Sequence, residues 1–242
     1  MTGGQWPELY PLLMFAALLT AVAVRRRLKT GPTLPGFATT WLSLSAFTGA
    51  MLLAKLPYLI PGLPGFQDAD DSLIGGKTIL FGMVGGYLGV ELGKKSIGLK
   101  SKTGDSFVVP VAASIAIGRL ACFAGGCCYG TPSTAAWAVV FPIVDHIPRH
   151  PTQLYEFAFH ATCAGIAAWM LKRGLLKGQL IKAYFITYFG YRFFTEFLRP
   201  EPVVVAGLTA YQIASVLFAV IFVGLFVYDA RQFRAARTAT PS

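Results

Sequence analysis

Apolar runs alternate with short polar connections along nearly the whole chain, at roughly Leu9 to Val24, Phe37 to Ile60, Leu73 to Leu92, Phe107 to Gly126, Leu154 to Leu171, Leu180 to Leu198 and Val203 to Val227. A helix rises about 1.5 Å per residue, so about 20 apolar residues cross a hydrocarbon core of about 30 Å. The pattern predicts an all-α integral membrane protein with about seven transmembrane helices. Its first and fourth runs are short, and Pro57 and Pro61 interrupt the second. No internal repeat stands out. The longest polar connection, about Tyr129 to Pro151, is too short for a separate domain, so residues 1–242 read as a single polytopic membrane domain.

Composition supports that reading. Of the 242 residues, 55% are hydrophobic and 13% charged, and the mean hydropathy is +0.58, outside the range of an ordinary soluble domain. A formal net charge of +10 raises nucleic acid as a partner, but the distribution of the charge argues otherwise. Arg25, Arg26, Arg27 and Lys29 follow the first run and Lys94, Lys95, Lys100 and Lys102 the third. Lys172, Arg173, Lys177 and Lys182 flank the connection after the fifth, and Arg231, Arg234 and Arg237 close the chain. Fifteen of the 21 basic residues thus sit on alternate connections, while the intervening ones hold Asp68, Asp70 and Asp71, or Asp145. The positive-inside rule then gives an extracytoplasmic N-terminus and a cytoplasmic C-terminus. The basic excess is topology, with some attraction to anionic membrane lipid, and no nucleic-acid partner is expected. The first run has no basic residues before it and Arg25 to Arg27 after it, the reverse of a cleavable signal, so it is expected to remain.

One stretch breaks the apolar pattern with unusual regularity. In Tyr188 to Pro200 (YFGYRFFTEFLRP), Tyr188, Arg192, Glu196 and Arg199 fall within about 80° of one another at helical periodicity. A charge at the bilayer centre costs about 2.5–3.5 kcal/mol on insertion scales, so such a stripe is expected to face a protein interior and to serve a function.

Three further polar sets accompany it. Gly118-Arg119 precedes LACFAGGCCYG, ending at Gly130. Arg119 reads either as snorkelling to the interface or as buried in a polar cavity, and the neighbouring glycines favour the cavity by allowing close backbone approach. Next, Arg149-His150-Pro151-Thr152-Gln153-Leu154-Tyr155-Glu156 opens the fifth run. Its plain reading is helix capping by His150 or Thr152. The sharper one brings His150, Gln153, Tyr155 and Glu156 to the same membrane face as Arg119, Arg199 and Cys127. Finally, Gly82, Gly85, Gly86, Gly89 and Gly93 form small-xxx-small pairs in the third run. Such pairs usually pack helices. The other reading lays a lipid phosphate on exposed backbone amides, which makes Gly85 and Gly86 candidate substrate contacts.

No P-loop, dinucleotide fingerprint or nucleophile elbow is present. Cys122, Cys127 and Cys128 with His150 could be assembled into a zinc site, but C-x4-C-C lacks the usual ligand spacing, and no metal is expected. A Cys122 to Cys127 bridge is conceivable, and Cys163 reads as a small core residue.

Taken in order, Gly118-Arg119 with the exit to Gly130, His150 to Glu156, Tyr188, Arg192, Glu196, Phe197, Arg199-Pro200 and Gln212-Ile213 resemble the signature blocks of the prolipoprotein diacylglyceryl transferase family. The resemblance runs from about Gly82 to Ser215 and agrees with that family's seven spans and outward N-terminus. It implies a multi-pass enzyme of the bacterial inner (plasma) membrane. Such an enzyme moves the diacylglyceryl group of phosphatidylglycerol to the lipobox cysteine in the signal peptide of a preprolipoprotein, releasing glycerol phosphate. Arg119 and Arg192 match the family's two essential arginines, and Tyr188, Glu196, Arg199 and Gly130 its supporting site residues. Tyr10 stands loosely for a first-span tyrosine.

The departures matter as much. The family's third-span catalytic histidine aligns with Val84, ahead of Gly85-Gly86. Its asparagine three residues beyond the first arginine is Cys122, and the acidic residue before the conserved glycine is Cys127. These changes leave room for a divergent paralogue with a different acceptor or lost activity.

Alkyl transfer from a phosphodiester expels a phosphate monoester, and guanidiniums in a low-dielectric site suit both headgroup binding and the charge that builds on the leaving oxygens. That suits Arg119 and Arg192 for catalysis, with Glu196 either orienting Arg192 and Arg199 or simply neutralising their charge. The acceptor thiol, with an ordinary pKa of about 8.5, needs a base or a positive field. His150, Glu156 or the field of Arg192 could supply it, and no cofactor is required. A transporter of anions or lipids would show inverted repeats or matched broken helices, and none is seen. A scaffold would keep only paired charges, whereas Arg119, Arg192 and Arg199 outnumber the available Glu156 and Glu196, so unpaired guanidiniums are expected.

Overall fold

Each apolar run contributes one α-helix to the computed structural model, which describes residues 2–4, 6–28, 34–60, 62–66 and 76–238. The helices are α1 (Leu9–Leu28), α2 (Gly36–Leu59), α3 (Ile79–Ser96), α4 (Asp105–Gly125), α5 (Thr152–Arg173), α6 (Leu180–Thr195) and α7 (Ala210–Thr238). Two short hairpins complete the order, β1 (Val139–Val140) with β2 (Pro148–Arg149) and β3 (Val203–Val205) with β4 (Leu208–Thr209). Asp68, Asp70, Asp71, Lys29, Pro61 and the expected start of the third span at Leu73 lie outside the described residues.

Four helices among the described residues are long and apolar enough to cross a membrane: α1, α2, α4 and Ala210–Phe233 of α7. The other three carry their polarity inside. Lys94 of α3, Gln153, Glu156 and His160 of α5, and Lys182 and Arg192 of α6 are all buried. Large apolar side chains do the reverse. Leu12, Phe15 and Leu19 of α1, Leu44, Phe47 and Leu52 of α2, and Val220 and Val223 of α7 are exposed. Apolar surface over a polar interior is the inverse of a soluble protein and suits hydrocarbon surroundings.

Two boundaries differ from the sequence pattern. The sixth helix stops at Thr195 and tightens into a 3₁₀ turn over Glu196–Leu198. The last run does not start as helix at Val203. Its three valines form β3, as β-branched residues favour, and Ala206 and Gly207, at φ +51° and +78°, turn the chain into β4.

The chain divides into two compact units, each built from separated segments. One comprises Met1–Gly31, Thr103–Ile181 and Phe197–Pro200; the other comprises Pro32–Lys102, Lys182–Glu196 and Glu201–Ser242. In the first, α4 packs against both α1 and α5. The extended N-terminal residues close the end of α4, with Gly4 N–H donating to Phe123 O at 2.9 Å and Trp6 N–H to Ala124 O at 3.3 Å. Carbonyls that a helix terminus leaves open are thereby satisfied.

In the second unit, α2 and α3 meet at backbone distance. A Cβ on Gly85 would run into the Gly49 carbonyl and Leu53, and one on Gly89 into the Ser45 carbonyl. The small-xxx-small series is therefore a helix-packing seam. At another point of this unit Lys102 and Lys182 both reach Asp229 at 2.5 Å, so the Lys182 counted among basic connection residues is a buried ion-pair member.

Candidate functional site

Within the first unit, Arg119 on α4 and Glu156 on α5 form an ion pair at 2.6 Å, with the residues 6% and 2% exposed. Removing one partner of such a pair strands a buried charge, at a cost of about 3–5 kcal/mol. Gln153 and His160 share the Glu156 face of α5 at one-turn spacing, and both are fully buried. Glu156 and Arg119 are the charged neighbours of His160.

The exit from α4 follows from its glycines. Gly126 takes the left-handed conformation at φ +71°, where its N–H bonds Phe123 O at 3.3 Å and the Cys127 N–H bonds Cys122 O at 3.1 Å. This is a Schellman cap, which brings the second residue past the cap against the residue five positions earlier. Here those residues are Cys127 and Cys122. Cys128 is itself left-handed at φ +60°, a conformation that costs a non-glycine residue about 1–2 kcal/mol. Three bonds hold it there. Gln153 Nε2 donates to Cys127 O at 2.6 Å, and Thr152 Oγ1 and Arg199 Nη1 donate to Cys128 O at 2.7 and 3.1 Å. As a result the three sulfurs lie within 4.8 Å of one another, the one group of convergent metal-ligand atoms among the described residues. The spacing that argues against a metal in the linear sequence is the spacing that the cap folds together.

Beyond the thiols, Gly130 is buried where no side chain fits. A Cβ there would lie 2.7 Å from both His150 Cβ and Leu198 O. His150 Nδ1 is 3.1 Å from the Tyr155 hydroxyl, which also accepts from Trp137 Nε1 at 2.7 Å. In the same connection Arg149 is ion-paired with Asp145, whose carboxyl is held below its ordinary range by that guanidinium and by the Ile147 N–H. Tyr10 lies against the last turn of α4 at Gly125.

The second unit holds the other arginine. Arg192 Nη2 lies 2.7 Å from Glu196 Oε2, with the residues 5% and 1% exposed. Glu196 Oε1 accepts from Thr209 Oγ1 at 3.0 Å. Thr209 and Gln212 form a reciprocal capping box at the start of α7, with Gln212 N–H to Thr209 Oγ1 at 3.2 Å and Thr209 N–H to Gln212 Oε1 at 3.0 Å. Tyr211 completes the group. The Arg192 guanidinium sits 4.9 Å above its ring, and its hydroxyl is 2.6 Å from that of Tyr58. Tyr188, 1% exposed, stacks with Tyr191. Val84 is buried and borders an apolar cavity of about 370 Å³, together with Leu53, Phe81, Tyr87, Phe218 and Phe222.

Several expectations change. Tyr188, Arg192, Glu196 and Arg199 are not one helical stripe, because α6 ends before Glu196 and Arg199 joins the first unit at Cys128. Arg119 and Arg192 are not unpaired, since each has its own carboxylate. Neither Thr152 nor His150 caps α5; Pro151 precedes the helix without a side-chain cap, and Thr152 serves the cysteine turn instead. Of the expected residues, the first unit brings together Arg119, Glu156 and Gln153 and ties Gly130, His150, Tyr155 and Arg199 to the adjoining connection. Arg192, Glu196 and Tyr188 belong to the second, where Gly85 and Gly86 face α2. Sequence reasoning missed His160, Thr209 and Tyr211. Thr209-Ala210-Tyr211-Gln212 ahead of an apolar run is a readable capping signal, and His160 four residues after Glu156 a readable helical neighbour.

Comparison with known proteins adds the following. A family model described as prolipoprotein diacylglyceryl transferase matches residues 7–228. The phosphatidylglycerol–prolipoprotein diacylglyceryl transferase of Clostridium tetani (strain Massachusetts / E88) is 32% identical over 202 residues, 80% of this chain and 80% of that protein. The protein of the same description from Polynucleobacter necessarius subsp. necessarius (strain STIR1) is 31% identical over 217 residues, 84% and 80% of the two chains. That from Bordetella parapertussis (strain 12822 / ATCC BAA-587 / NCTC 13253) is 29% identical over 241 residues, 93% and 91% of the two.

Proposed function

The chain belongs to the prolipoprotein diacylglyceryl transferase family, and from that premise we propose that it transfers the diacylglyceryl group of phosphatidylglycerol to the lipobox cysteine of a preprolipoprotein. The observation that carries this reading is a pair of deeply buried arginines, each braced by its own carboxylate. A guanidinium fixed by a carboxylate keeps its remaining donors in a defined direction, which suits phosphate oxygens. Arg119 and Arg192 are assigned headgroup binding and stabilisation of leaving charge, each within its own unit. Glu156 and Glu196 are their positioning residues, and Tyr188, Gln153, His150, Tyr155, Arg199 and Gly130 support them.

In the reaction the acceptor thiolate forms a carbon–sulfur bond at the terminal glyceryl carbon. The carbon–oxygen bond to the phosphate breaks, and glycerol phosphate leaves with the electron pair. The thiol proton is lost before or during attack. We place the chain in the bacterial inner membrane as one multi-pass domain with seven spans and an outward N-terminus, on the charge asymmetry of its connections.

A different acceptor is the second reading, favoured by Val84. The resemblance aligns it with the family's third-span histidine, and it borders an apolar cavity. The test of the main reading is to incubate the purified protein with phosphatidylglycerol and a lipobox peptide and to weigh the peptide by mass spectrometry. A peptide heavier by one diacylglyceryl group is expected. Unmodified peptide, under conditions where a conventional family member modifies it, overturns the reading.

A further inference from the structure

We infer that Cys122, Cys127 and Cys128 form a three-thiolate zinc site whose fourth position takes the acceptor thiol. The site lies wholly within the first unit, one turn beyond Arg119 on α4. Its three sulfurs already lie within 4.8 Å of one another, and no histidine or carboxylate among the described residues joins the group. Tetrahedral zinc at Zn–S distances of about 2.3 Å sets its sulfurs about 3.8 Å apart, so closing on the ion asks for movements of about 1 Å. The three residues are free cysteines, neither fully buried nor exposed.

The turn is built to hold this arrangement. The Schellman cap sets Cys127 on Cys122, and the left-handed Cys128 is fastened through its carbonyl by Thr152 and Arg199. Strained backbone held by surrounding bonds marks a position with a use.

Chemistry supplies the consequence. Three protein ligands with one open position describe catalytic zinc, and a thiol that coordinates zinc is deprotonated outright. An acceptor thiol of pKa about 8.5 would then lose its proton to solvent on coordination and face the donor lipid as thiolate. With four thiolates the centre carries two negative charges. Arg199, bonded to the Cys128 carbonyl, supplies compensating positive charge. This route needs no protein side chain as base. The identity of the fourth ligand rests on the transferase reading; the three-thiolate site does not.

The test uses the full-length protein in detergent, with metal content measured by elemental mass spectrometry and Co²⁺ exchanged for Zn²⁺ as a spectroscopic probe. About one zinc per chain is expected, with thiolate-to-cobalt charge transfer and four-coordinate visible bands. Cys122→Ser, Cys127→Ser or Cys128→Ser should weaken binding by about tenfold or more, while Cys163→Ser, on α5 outside the cluster, leaves it unchanged. Size-exclusion profiles show whether each variant is folded. Adding a lipobox peptide should change the cobalt spectrum, and its Cys→Ser form should not. Zinc content near zero, preferential copper(I) binding, or a spectrum indifferent to the thiol peptide overturns the inference. Full transfer by chelated protein also overturns it and leaves the transferase standing. A thiol-responsive cobalt site in a protein that never consumes phosphatidylglycerol upholds the site and sinks the transferase instead.

Discussion

Both buried arginines are paired with a glutamate, but the two units achieve the pairing differently. In the second unit Arg192 and Glu196 lie four residues apart on one segment, and the carboxylate is further fixed by the hydroxyl that caps α7. In the first, Arg119 and Glu156 sit on separate helices and meet only because α4 packs against α5. The local pair comes with the backbone; the other exists only in the folded unit. The unit of the first also holds a cluster of thiols, that of the second an apolar cavity bordered by Val84. Equal charges in unequal frames should fail in different ways.

The largest effect is expected from the arginines themselves. Arg119→Ala and Arg192→Ala should each reduce transfer by about 10²–10³-fold or more, the scale of losing a charge-stabilising donor, while both proteins still insert in the membrane. A large loss in one variant alone would break the equivalence of the pairs.

Next come the carboxylates. Glu156→Gln strands a buried guanidinium between two helices and should lower stability by about 3–5 kcal/mol, seen as a fall in the melting temperature in detergent. Glu196→Gln keeps the Thr209 hydroxyl within reach and should destabilise less. Equal shifts would remove the distinction between a local and a tertiary pair.

Smaller effects probe the frames. Gly130→Ala places a methyl 2.7 Å from His150 Cβ and Leu198 O and should cost about 1–3 kcal/mol by overpacking. Thr209→Ala removes a helix cap worth about 1 kcal/mol together with a donor to Glu196, with a modest drop in melting temperature as the readout.

The smallest is pH-dependent. The Asp145 carboxyl titrates below its ordinary value because Arg149 and the Ile147 N–H stabilise its charged form. Its contribution is therefore present above the unfolded value of about 3.9 and lost as pH falls through the lower folded value. Protease sensitivity of the 129–151 connection should be flat between pH 7 and pH 5 and rise only below about pH 4. Asp145→Asn should be sensitive throughout.

Much of this was legible in the chain because it is local. Apolar runs mark the helices, the Gly82 to Gly93 series marks the seam with α2, and Arg192 with Glu196 reads off helical spacing. What the pattern hides is tertiary or conformational. Nothing near Arg119 names Glu156 as its partner, and Val203 to Val205 look like the start of a span until the Ala206-Gly207 turn pairs them with β4. C-x4-C-C lacks the usual ligand spacing, and the linear pattern does not show the turn that follows α4. The left-handed Gly126 and Cys128 reverse the backbone and bring the sulfurs together. Arg199 falls on the stripe only if the helix continues, and it ends at Thr195.

Arg119 and Arg192, each considered within its own unit, are both proposed to be needed for diacylglyceryl transfer. The most direct test measures diacylglyceryl peptide formed from phosphatidylglycerol and a lipobox peptide by wild type, Arg119→Ala and Arg192→Ala at matched membrane levels. The prediction is product from the wild type and a loss of at least about 100-fold in both variants. Product at the wild-type rate from either variant would contradict it.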